Sequence, residues 1–422
     1  MAKTYREWNV EQSWLLPPSV MEFVPADHLA HFVRDTVREH LDLSAIVEPY
    51  EAEERGYPPY HPVMMTALLL YAYSQGIYSS RRIAKACEER VDFMAVTGLN
   101  RPDFRTVSDF RKRHLEALKG LFVQVLKLCQ RAGLVKLGHV ALDGTKVKAN
   151  ASKHKAMSYG RMPETEKRLK AEVGQWFSQA EVVDQEEDRR HGASRRGDEL
   201  PEWVADKQRR IAKIAEAKAA LEAEAQAAGQ EAPQAKAQRN FTDPDSRIMM
   251  SGKEFVQAYN AQAAVDAEAQ VIVAQSLSNC ASDAQQLEPI VKQIKANTGR
   301  QAEELSADAG YCSEGNLAVL ARHHINGYIA TGRQSHSEAA AVGKRRRNGT
   351  RVAAMRTKLA RGGRRSRYRL RKTLPEPVFG QIKQARGFRQ FLLRGSAKVQ
   401  GEWSLICTVH NLLKLAQAGR AR

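Results

Sequence analysis

The first 132 residues are dominated by apolar side chains that recur every three or four positions, the spacing of amphipathic helices. Asp27 precedes the periodic segment HLAHFVRDTVREHL, and Ser79 or Ser80 precedes RRIAKACEERVDFMAV; both residue types favour helix N-caps. Thr106 holds the same position before VSDFRKRHLEALKGLFVQVLKLCQ, whose apolar residues fall on one helical face. The pattern therefore predicts a helical N-terminal region.

After Lys136 the pattern changes to that of a strand followed by a long helical insertion. GHVALDG reads as a buried strand that ends at Asp143. Residues 163–238 are rich in Ala, Glu, Lys, Arg and Gln, and their apolar residues recur at near-heptad spacing, which predicts a helical hairpin or coiled-coil insertion. The residues at that spacing are Val204, Ile211, Ile214 and Leu221.

Strand signals return beyond residue 250. EFVQAYNAQAAVDA and QVIVAQSLS are separated by Glu268 and Ala269 and form a predicted hairpin, which a helix over 281–295 follows. EELSADAGY reads as a short strand that ends at Asp308, and NGYIATG reads as another strand. The order of strand, hairpin, helix, strand, helix and strand indicates an α/β fold with a mixed sheet and helices on both faces.

Composition and charge narrow the class of partner. The chain has 422 residues, sufficient for two or three domains, and its net charge of +18 with a pI near 9.7 favours a polyanionic partner. Nucleic acid is favoured over a membrane, because the longest apolar run, Val63–Tyr73, is too short to span a bilayer and no signal peptide precedes it. The five cysteines contain no Cys-x-x-Cys pair, which argues against a disulfide framework or structural zinc and favours a reducing cytoplasm.

Three acidic residues are candidates for metal-dependent chemistry on phosphodiesters. Asp143 and Asp308 end predicted strands, and Glu376 opens a predicted helix. If they converge, three such carboxylates can hold two divalent cations that activate water and stabilise the leaving oxygen. For an isolated Asp-Gly pair a simple turn is the better interpretation, so the assignment of Asp143 depends on the other two acids. Three competing acids are assigned to turns: Asp243, Asp245 and Asp266.

The helix that begins near Glu376 has a second chemical feature. Pro377 suits a first helical turn, where the helix dipole favours an ionised carboxylate. Gly380 and Lys383 fall on the same predicted face as Glu376, so a DNA strand could approach between the Glu and a Lys that neutralises phosphate. An amphipathic helix with Glu and Lys merely exposed would give the same pattern.

Basic residues concentrate in two regions. Residues 343–372 contain fourteen Lys or Arg and no acid, and we expect this segment to become ordered on an anionic partner. In the N-terminal region, short helices followed by a basic helix match the helix-turn-helix plan for DNA binding. A helical bundle with a solvated basic face is the alternative interpretation. The N-terminal candidates for DNA contact are Arg105, Arg111, Lys112 and Arg113.

The order of these motifs resembles the DDE transposases of bacterial insertion sequences. The matching elements are LDGT at Asp143, ADAGY at Asp308, and a Tyr-x-x-Arg stretch that leads to Glu376 and, beyond it, a Lys. The upstream segment YHPVMMTALLLYAYSQGIYSSRRIAKACEERVDFMAVTG resembles the N-terminal domain of the same enzymes. One departure is that four residues, rather than the common three, separate Arg371 from Glu376. The role of the arginine in this motif therefore belongs to Arg371 or is shared with Lys372.

The resemblance implies an RNase H-like catalytic domain interrupted by the helical insertion and preceded by an all-α DNA-binding domain. It also implies two Mg²⁺ ions, with Mn²⁺ able to substitute, held by Asp143, Asp308 and Glu376. DNA would be positioned by Tyr368, Arg371, Lys372 and Lys383. The implied activity is cleavage of the element ends and strand transfer into target DNA. The alternatives are an RNase H-like nuclease without strand transfer and an inactive, transposase-derived DNA-binding repressor.

The implied partners are DNA, as terminal inverted repeats and target, and further copies of the chain in a homodimer or larger assembly. We expect the protein in the bacterial cytoplasm, associated with the nucleoid and not with a membrane. The predicted domains are 1–132 for the helical DNA-binding domain, 133–160 and 241–342 for two parts of the catalytic domain, 161–240 for the insertion, 343–372 for a basic DNA-contacting segment, and 373–422 for C-terminal catalytic helices.

Overall fold

The described part of the N-terminal unit is helical. The computed structural model describes residues 19–52, 58–191, 202–252, 254–332 and 350–420, and the chain divides into Met1–Leu128 with Thr408–Arg422, and Cys129–Cys407. The first unit contains α1 (Leu29–His40), α2 (Ser44–Glu51), α3 (Pro62–Ser74), α4 (Ser80–Glu89), α5 (Val91–Thr97), α6 (Phe104–Arg113) and most of α7 (Leu115–Arg131). The side chains of α3 are almost all buried, which explains why its sequence has no polar face.

The N-caps of these helices follow local chemistry, with two corrections to the sequence predictions. Ser79 accepts the backbone N–H of Arg82 and caps α4, as predicted. In α1 the cap is His28 and not Asp27, because the His28 Nδ1 accepts the N–H of Ala30. In α6 the cap is Asp103 and not Thr106, because the Asp103 carboxylate accepts the backbone N–H groups of both Arg105 and Thr106.

The long helix predicted after Thr106 is two helices. The chain leaves helical geometry at His114, where φ is −102° and ψ is 18°, and α7 begins at the next residue. His114 is buried, and its Nε2 lies 3.1 Å from the Tyr50 hydroxyl. This tertiary contact accompanies a break that the apolar periodicity alone did not indicate.

The second unit is built on a mixed sheet. The described strands of this unit are β1 (His139–Lys148), β2 (Ala156–Ser158), β3 (Gln238–Asn240), β4 (Arg247–Ser251), β5 (Glu254–Asp266), β6 (Ile272–Ser278), β7 (Glu304–Ala307) and β8 (Asn326–Ile329). Its helices are α8 (Met162–His191), α9 (Glu202–Ala227), α10 (Leu287–Thr298), α11 (Glu314–Arg322), α12 (Arg351–Gly362), α13 (Leu370–Thr373), α14 (Pro375–Gly380) and the start of α15 (Ser396–Arg420).

In the main sheet the described strands follow the order β4-β5-β1-β7-β8, and β6 pairs with the second half of β5. β1 is antiparallel to β5 and parallel to β7, and β7 is parallel to β8. This topology confirms the predicted RNase H-like α/β fold. β1 does not end at Asp143, however, but continues to Lys148, because its whole length pairs with β5.

The predicted insertion is a helical hairpin of α8 and α9. β2 and β3 pair antiparallel at its base. Val204, Ile214 and Leu221, three of the near-heptad residues, are buried, so the periodicity identified the packed face of α9. Lys207 Nζ lies 2.6 Å from Glu172, which adds an ion pair between the two helices.

The described part of the basic segment, 350–372, is folded rather than unstructured. It contains α12, whose Val352 and Leu359 are buried. Arg367 donates to Glu304 at 2.7 Å, and Lys358 donates to the carbonyl oxygen of Gly327 at 2.7 Å. Some of its cations are therefore used to dock the segment on β7 and β8. The first part of the predicted segment, 343–349, lies outside the described residues.

Candidate active site

Asp143 and Asp308 are adjacent because β1 and β7 are neighbouring parallel strands. Leu142 pairs with Ala307, so the next residue on each strand is one of the two acids. Asp308 then caps a short 3₁₀ turn by accepting the N–H of Gly310 at 2.8 Å. Two carboxylates from different motifs are thus brought to one position on the sheet.

The carboxyl group of Asp143 is buried, with only 8% of the residue exposed. Burial raises its pKa to about 6, and the negative charge of Asp308 adds to the rise, whereas the Arg371 guanidinium opposes it. The site therefore contains a negative charge that is poorly solvated and that a nearby cation stabilises.

Arg371 supplies that cation in this structure. Its Nη2 lies 3.3 Å from Asp143 Oδ2, and the pair is mostly shielded from solvent. Burial alone would lower the pKa of Arg371, but the charges of Asp143, Asp308 and Glu376 raise it overall. Lys372, the other candidate for the Arg role, is exposed. Of Arg371 and Lys372, it is Arg371 that contacts Asp143.

Glu376 lies in the first turn of α14 and is exposed. Its negative charge contributes, after those of Asp143 and Asp308, to the raised pKa of Arg371. Within the described ranges, no group of three or more His, Cys, Asp or Glu side chains is close enough to hold a metal ion as it stands. Glu376 is therefore linked electrostatically to Arg371 but is not part of a preformed ligand cluster among the described residues.

Helical periodicity predicted that Lys383 shares an open face with Glu376 and Gly380. The structure does not place Lys383 on that face. A π-helical turn over Gln381–Ala385 follows α14 and changes the register of the face. The Lys383 ammonium donates to Thr145 Oγ1 at 2.5 Å and to the carbonyl oxygen of Lys146 at 2.7 Å. Desolvation, together with the charge of Lys146, lowers the pKa of Lys383 to about 8. Lys383 thus braces β1 just beyond Asp143.

Tyr368 is not available for direct contact with DNA in this structure. Only 4% of the residue is exposed, and it packs with Ala330 and Leu359 in a small apolar cluster. Tyr368 lies between α12 and Arg371 in the chain, so its packing in this cluster fixes the position of the segment that carries Arg371. The predicted role of Tyr368 in positioning DNA stays a prediction, and its burial favours an indirect role through the segment that carries Arg371.

Of the four N-terminal candidates, Arg105, Lys112 and Arg113 are exposed, whereas Arg111 is buried. The Arg111 guanidinium donates to the Tyr73 hydroxyl at 2.9 Å and to the carbonyl oxygen of Tyr78 at 3.0 Å. Its role is to join α6 to α3 and the turn after it. Arg111 is therefore removed from the set of surface cations.

The three competing acids have structural partners. Asp243 accepts the Tyr259 hydroxyl at 2.9 Å. Asp245 accepts the backbone N–H of Ser396 at 2.7 Å, at the start of α15. Asp266 is buried at the end of β5 and accepts the backbone N–H of Leu137 at 2.7 Å. Each of these contacts is a structural reason for a carboxylate at that position, so no catalytic role is needed to explain it.

The sequence reading missed a polar cluster beside the two aspartates. Asp283, in the loop between β6 and α10, accepts hydrogen bonds from Asn260 and Gln262 of β5, and the buried Tyr311 hydroxyl donates to Gln262. The available signal was the alternation in YNAQAAV, where two polar residues two positions apart share one face of a buried strand. The predicted helix over 281–295 instead begins at Leu287, which leaves Asp283 in the loop.

Asp143→Asn is expected to change how stability depends on pH. The pKa of Asp143 is raised to about 6 in the folded protein, whereas an unfolded Asp titrates near 3.9. Between those values the folded state binds the extra proton, so the wild type loses stability as the pH rises through this window. Relative to wild type, the variant should gain about 1–2 kcal/mol of unfolding free energy between about pH 5 and pH 7.5. Urea denaturation at both pH values measures this; a difference independent of pH would contradict the raised pKa.

Two family models match the chain. Residues 18–113 match a family described as Transposase domain (DUF772), and residues 227–412 match a family described as Transposase DDE domain. No curated protein and no solved structure matches the chain. The first match covers α1 to α6, and the second contains Asp308 and Glu376. Together with the RNase H-like topology, these two transposase-domain matches and their order are consistent with an insertion-sequence DDE transposase.

Proposed function

We propose that the protein cuts the ends of an insertion sequence and joins them to target DNA, with Asp143, Asp308 and Glu376 as its catalytic acids. The main support is the adjacency of Asp143 and Asp308 on neighbouring parallel strands, with Arg371 3.3 Å from the first of them. A transposase needs one site for hydrolysis and for strand transfer, because the 3′-OH produced by the first reaction is the nucleophile of the second.

The donor set suits divalent cations. Carboxylate oxygens are the ligands that Mg²⁺ and Mn²⁺ prefer, and the buried, poorly solvated charge of Asp143 favours a nearby cation. Asp143, Asp308 and Glu376 would hold two such ions, which when bound activate the attacking oxygen and stabilise the leaving oxygen. Glu376, exposed on a short helix, is the member whose position is least constrained by packing.

The chain's own cations would handle the DNA. Arg371 is close enough to Asp143 to orient a phosphate beside the acids, and a guanidinium binds phosphate with two parallel hydrogen bonds. On the surface of the basic segment several cations are exposed and could track the backbone without reading bases. These are Arg351, Arg361, Arg365, Arg369 and Lys372. In the N-terminal unit the exposed candidates are Arg105, Lys112 and Arg113.

Two element ends must reach one target, so the functional species would contain at least two copies of the chain on DNA. Within the ranges that the structure covers, none of the helices has both the length and the apolar character that a bilayer crossing needs. We propose that the protein acts in the cytoplasm, associated with the nucleoid, on chromosomal DNA.

The purified protein should nick a duplex that carries the terminal inverted repeat at the element boundary when Mg²⁺ or Mn²⁺ is supplied. With a target plasmid present, the released 3′-OH end should become covalently joined to it. Both products are measured on a sequencing gel, and a scrambled-end duplex is the control.

Different failures of this experiment have different meanings. Nicking without joining would favour the RNase H-like nuclease that lacks strand transfer. Specific binding of the repeat without nicking in either metal would favour the inactive repressor. Either result would contradict the proposed function while leaving the family assignment intact.

A further inference from the structure

A fourth carboxylate lies beside the two aspartates of the sheet. Asp283 Oδ1 accepts hydrogen bonds from Asn260 Nδ2 at 2.6 Å and Gln262 Nε2 at 2.8 Å, and Lys146 Nζ lies 3.5 Å away. Its side chain is 19% exposed, so it is largely covered but not part of the apolar core. Three nitrogen donors on two strands therefore fix the orientation of this one loop carboxylate.

The same carboxylate is one of the groups that crowd two glycines in the motifs that carry the proposed catalytic acids. Gly144 directly follows Asp143, and a Cβ atom there would collide with Gln262 Nε2, its nearest neighbour, and would lie 2.8 Å from Asp283 Oδ1. Gly310 lies two residues after Asp308, and a Cβ atom there would lie 3.0 Å from Asp308 Oδ1 and 3.2 Å from Asp283 Oδ2. Each oxygen of Asp283 thus lies close to the glycine of one motif: a Cβ atom would collide at Gly144 and would be tightly packed at Gly310.

We propose that Asp283 is a positioning residue that sets the spacing between Asp143 and Asp308. Its carboxylate occupies the space between the LDG segment and the DAG turn, while Asn260 and Gln262 hold it there. This inference rests on the proposed function of the two aspartates and assigns a role to a residue outside their motifs.

Asp283 can affect the spacing of Asp143 and Asp308 because the backbone holds these two aspartates differently. Asp143 lies within β1, which is hydrogen-bonded on both sides by β5 and β7. Asp308 lies just after the four-residue β7, as the N-cap of a 3₁₀ turn of three residues. The turn is the part that can move, and the contact of Asp283 with Gly310 limits that movement. Loss of the contact would let Asp308 drift relative to Asp143 and weaken their joint hold on a cation.

The electrostatic surroundings agree with this placement. The pKa of the buried Tyr311 is raised first by burial and then by the charges of Asp283, Asp143 and Asp308. The pKa of Asp143 is also raised in part by the charge of Asp283. The three aspartates therefore act on the same small region.

The test compares Asp283→Ala, Asp283→Asn and the wild-type full-length chain. Mn²⁺ affinity of the DNA-free protein is measured by electron paramagnetic resonance, and the Mg²⁺ concentration for half-maximal nicking is measured on end DNA. The alanine variant removes the packing and should weaken Mn²⁺ affinity about tenfold and raise the Mg²⁺ requirement by a similar factor. The asparagine variant keeps the shape and an acceptor oxygen, and the charge that it loses is already paired with Lys146, so it should recover both values to within about threefold of wild type.

Glu288→Ala is the matched control, because Glu288 is a carboxylate at the start of α10 that pairs with Lys292 instead of the site. It should behave as wild type. An alanine variant with unchanged Mn²⁺ affinity, or an asparagine variant as defective as alanine, would overturn the positioning role. If the wild type itself failed to nick DNA, the proposed function would fall, whereas the Mn²⁺ measurements would still decide the role of Asp283.

Discussion

Replacing Asp308 with alanine is expected to slow Mg²⁺-dependent nicking of end DNA by about a thousandfold or more. A metal-held reaction centre supplies several kcal/mol of transition-state stabilisation, and each 1.36 kcal/mol corresponds to a factor of ten in rate. Asp143→Ala should have an effect of the same size, because the two carboxylates occupy adjacent positions on β1 and β7. Single-turnover nicking of a terminal-repeat duplex measures both.

Binding of the repeat should change little in these variants, since neither residue is a cation. Asp245→Asn is the control: this carboxylate accepts the N–H of Ser396, and an amide oxygen can do the same. It should cut at close to the wild-type rate. Near-normal cutting by a well-folded Asp308→Ala protein would exclude this residue from the catalytic acids.

Arg371→Ala is expected to have two opposite effects. Its guanidinium lies 3.3 Å from Asp143 in the DNA-free protein, where it neutralises the charge that would attract a divalent cation. At an effective dielectric constant of about 20, one charge at a few ångströms is worth several kcal/mol, so removing it should tighten Mn²⁺ binding by at least about tenfold. Cleavage should nevertheless fall about tenfold to a hundredfold, because a charge-assisted contact to phosphate is lost.

Lys372→Ala is the matched control for this experiment. It removes the same charge from the neighbouring position, but Lys372 is exposed. Mn²⁺ affinity should stay at the wild-type value, and cleavage should fall less than threefold or so, as for a surface phosphate contact. Equal effects of the two substitutions would show that the Arg role is shared, the alternative that the spacing of the motif had left open.

Much of the second unit followed from local pattern. The alternation in β1 and β5, the near-heptad spacing of α9, and the turn signals between them are properties of short segments, and the RNase H-like fold predicted from their order is confirmed. The order of LDGT, ADAGY and the segment around Glu376 indicated which acids to consider. Their catalytic roles stay predictions, as do those of the proposed DNA-contacting residues and the domain boundaries.

The errors arose where a contact from elsewhere in the chain decided the outcome. Arg111 has the same charge as Lys112, but the buried hydroxyl of Tyr73 accepts from Arg111 and draws it inward. Lys383 is turned toward β1 by Thr145, more than two hundred residues earlier in the chain. No local window contains such partners, so a basic residue on a helix reads as exposed until the packing is known.

The sequence by itself determined most strand and helix types and the insertion, because each depends on residues close together in the chain. The excess of positive charge follows from composition, and the order of three motifs indicated the three candidate acids. Only the tertiary structure decided that Arg371 compensates Asp143 and that Asp283 lies between Gly144 and Gly310. Those contacts join segments brought together by strand pairing and loop closure, and the geometry of a site depends on distances that residue order does not specify.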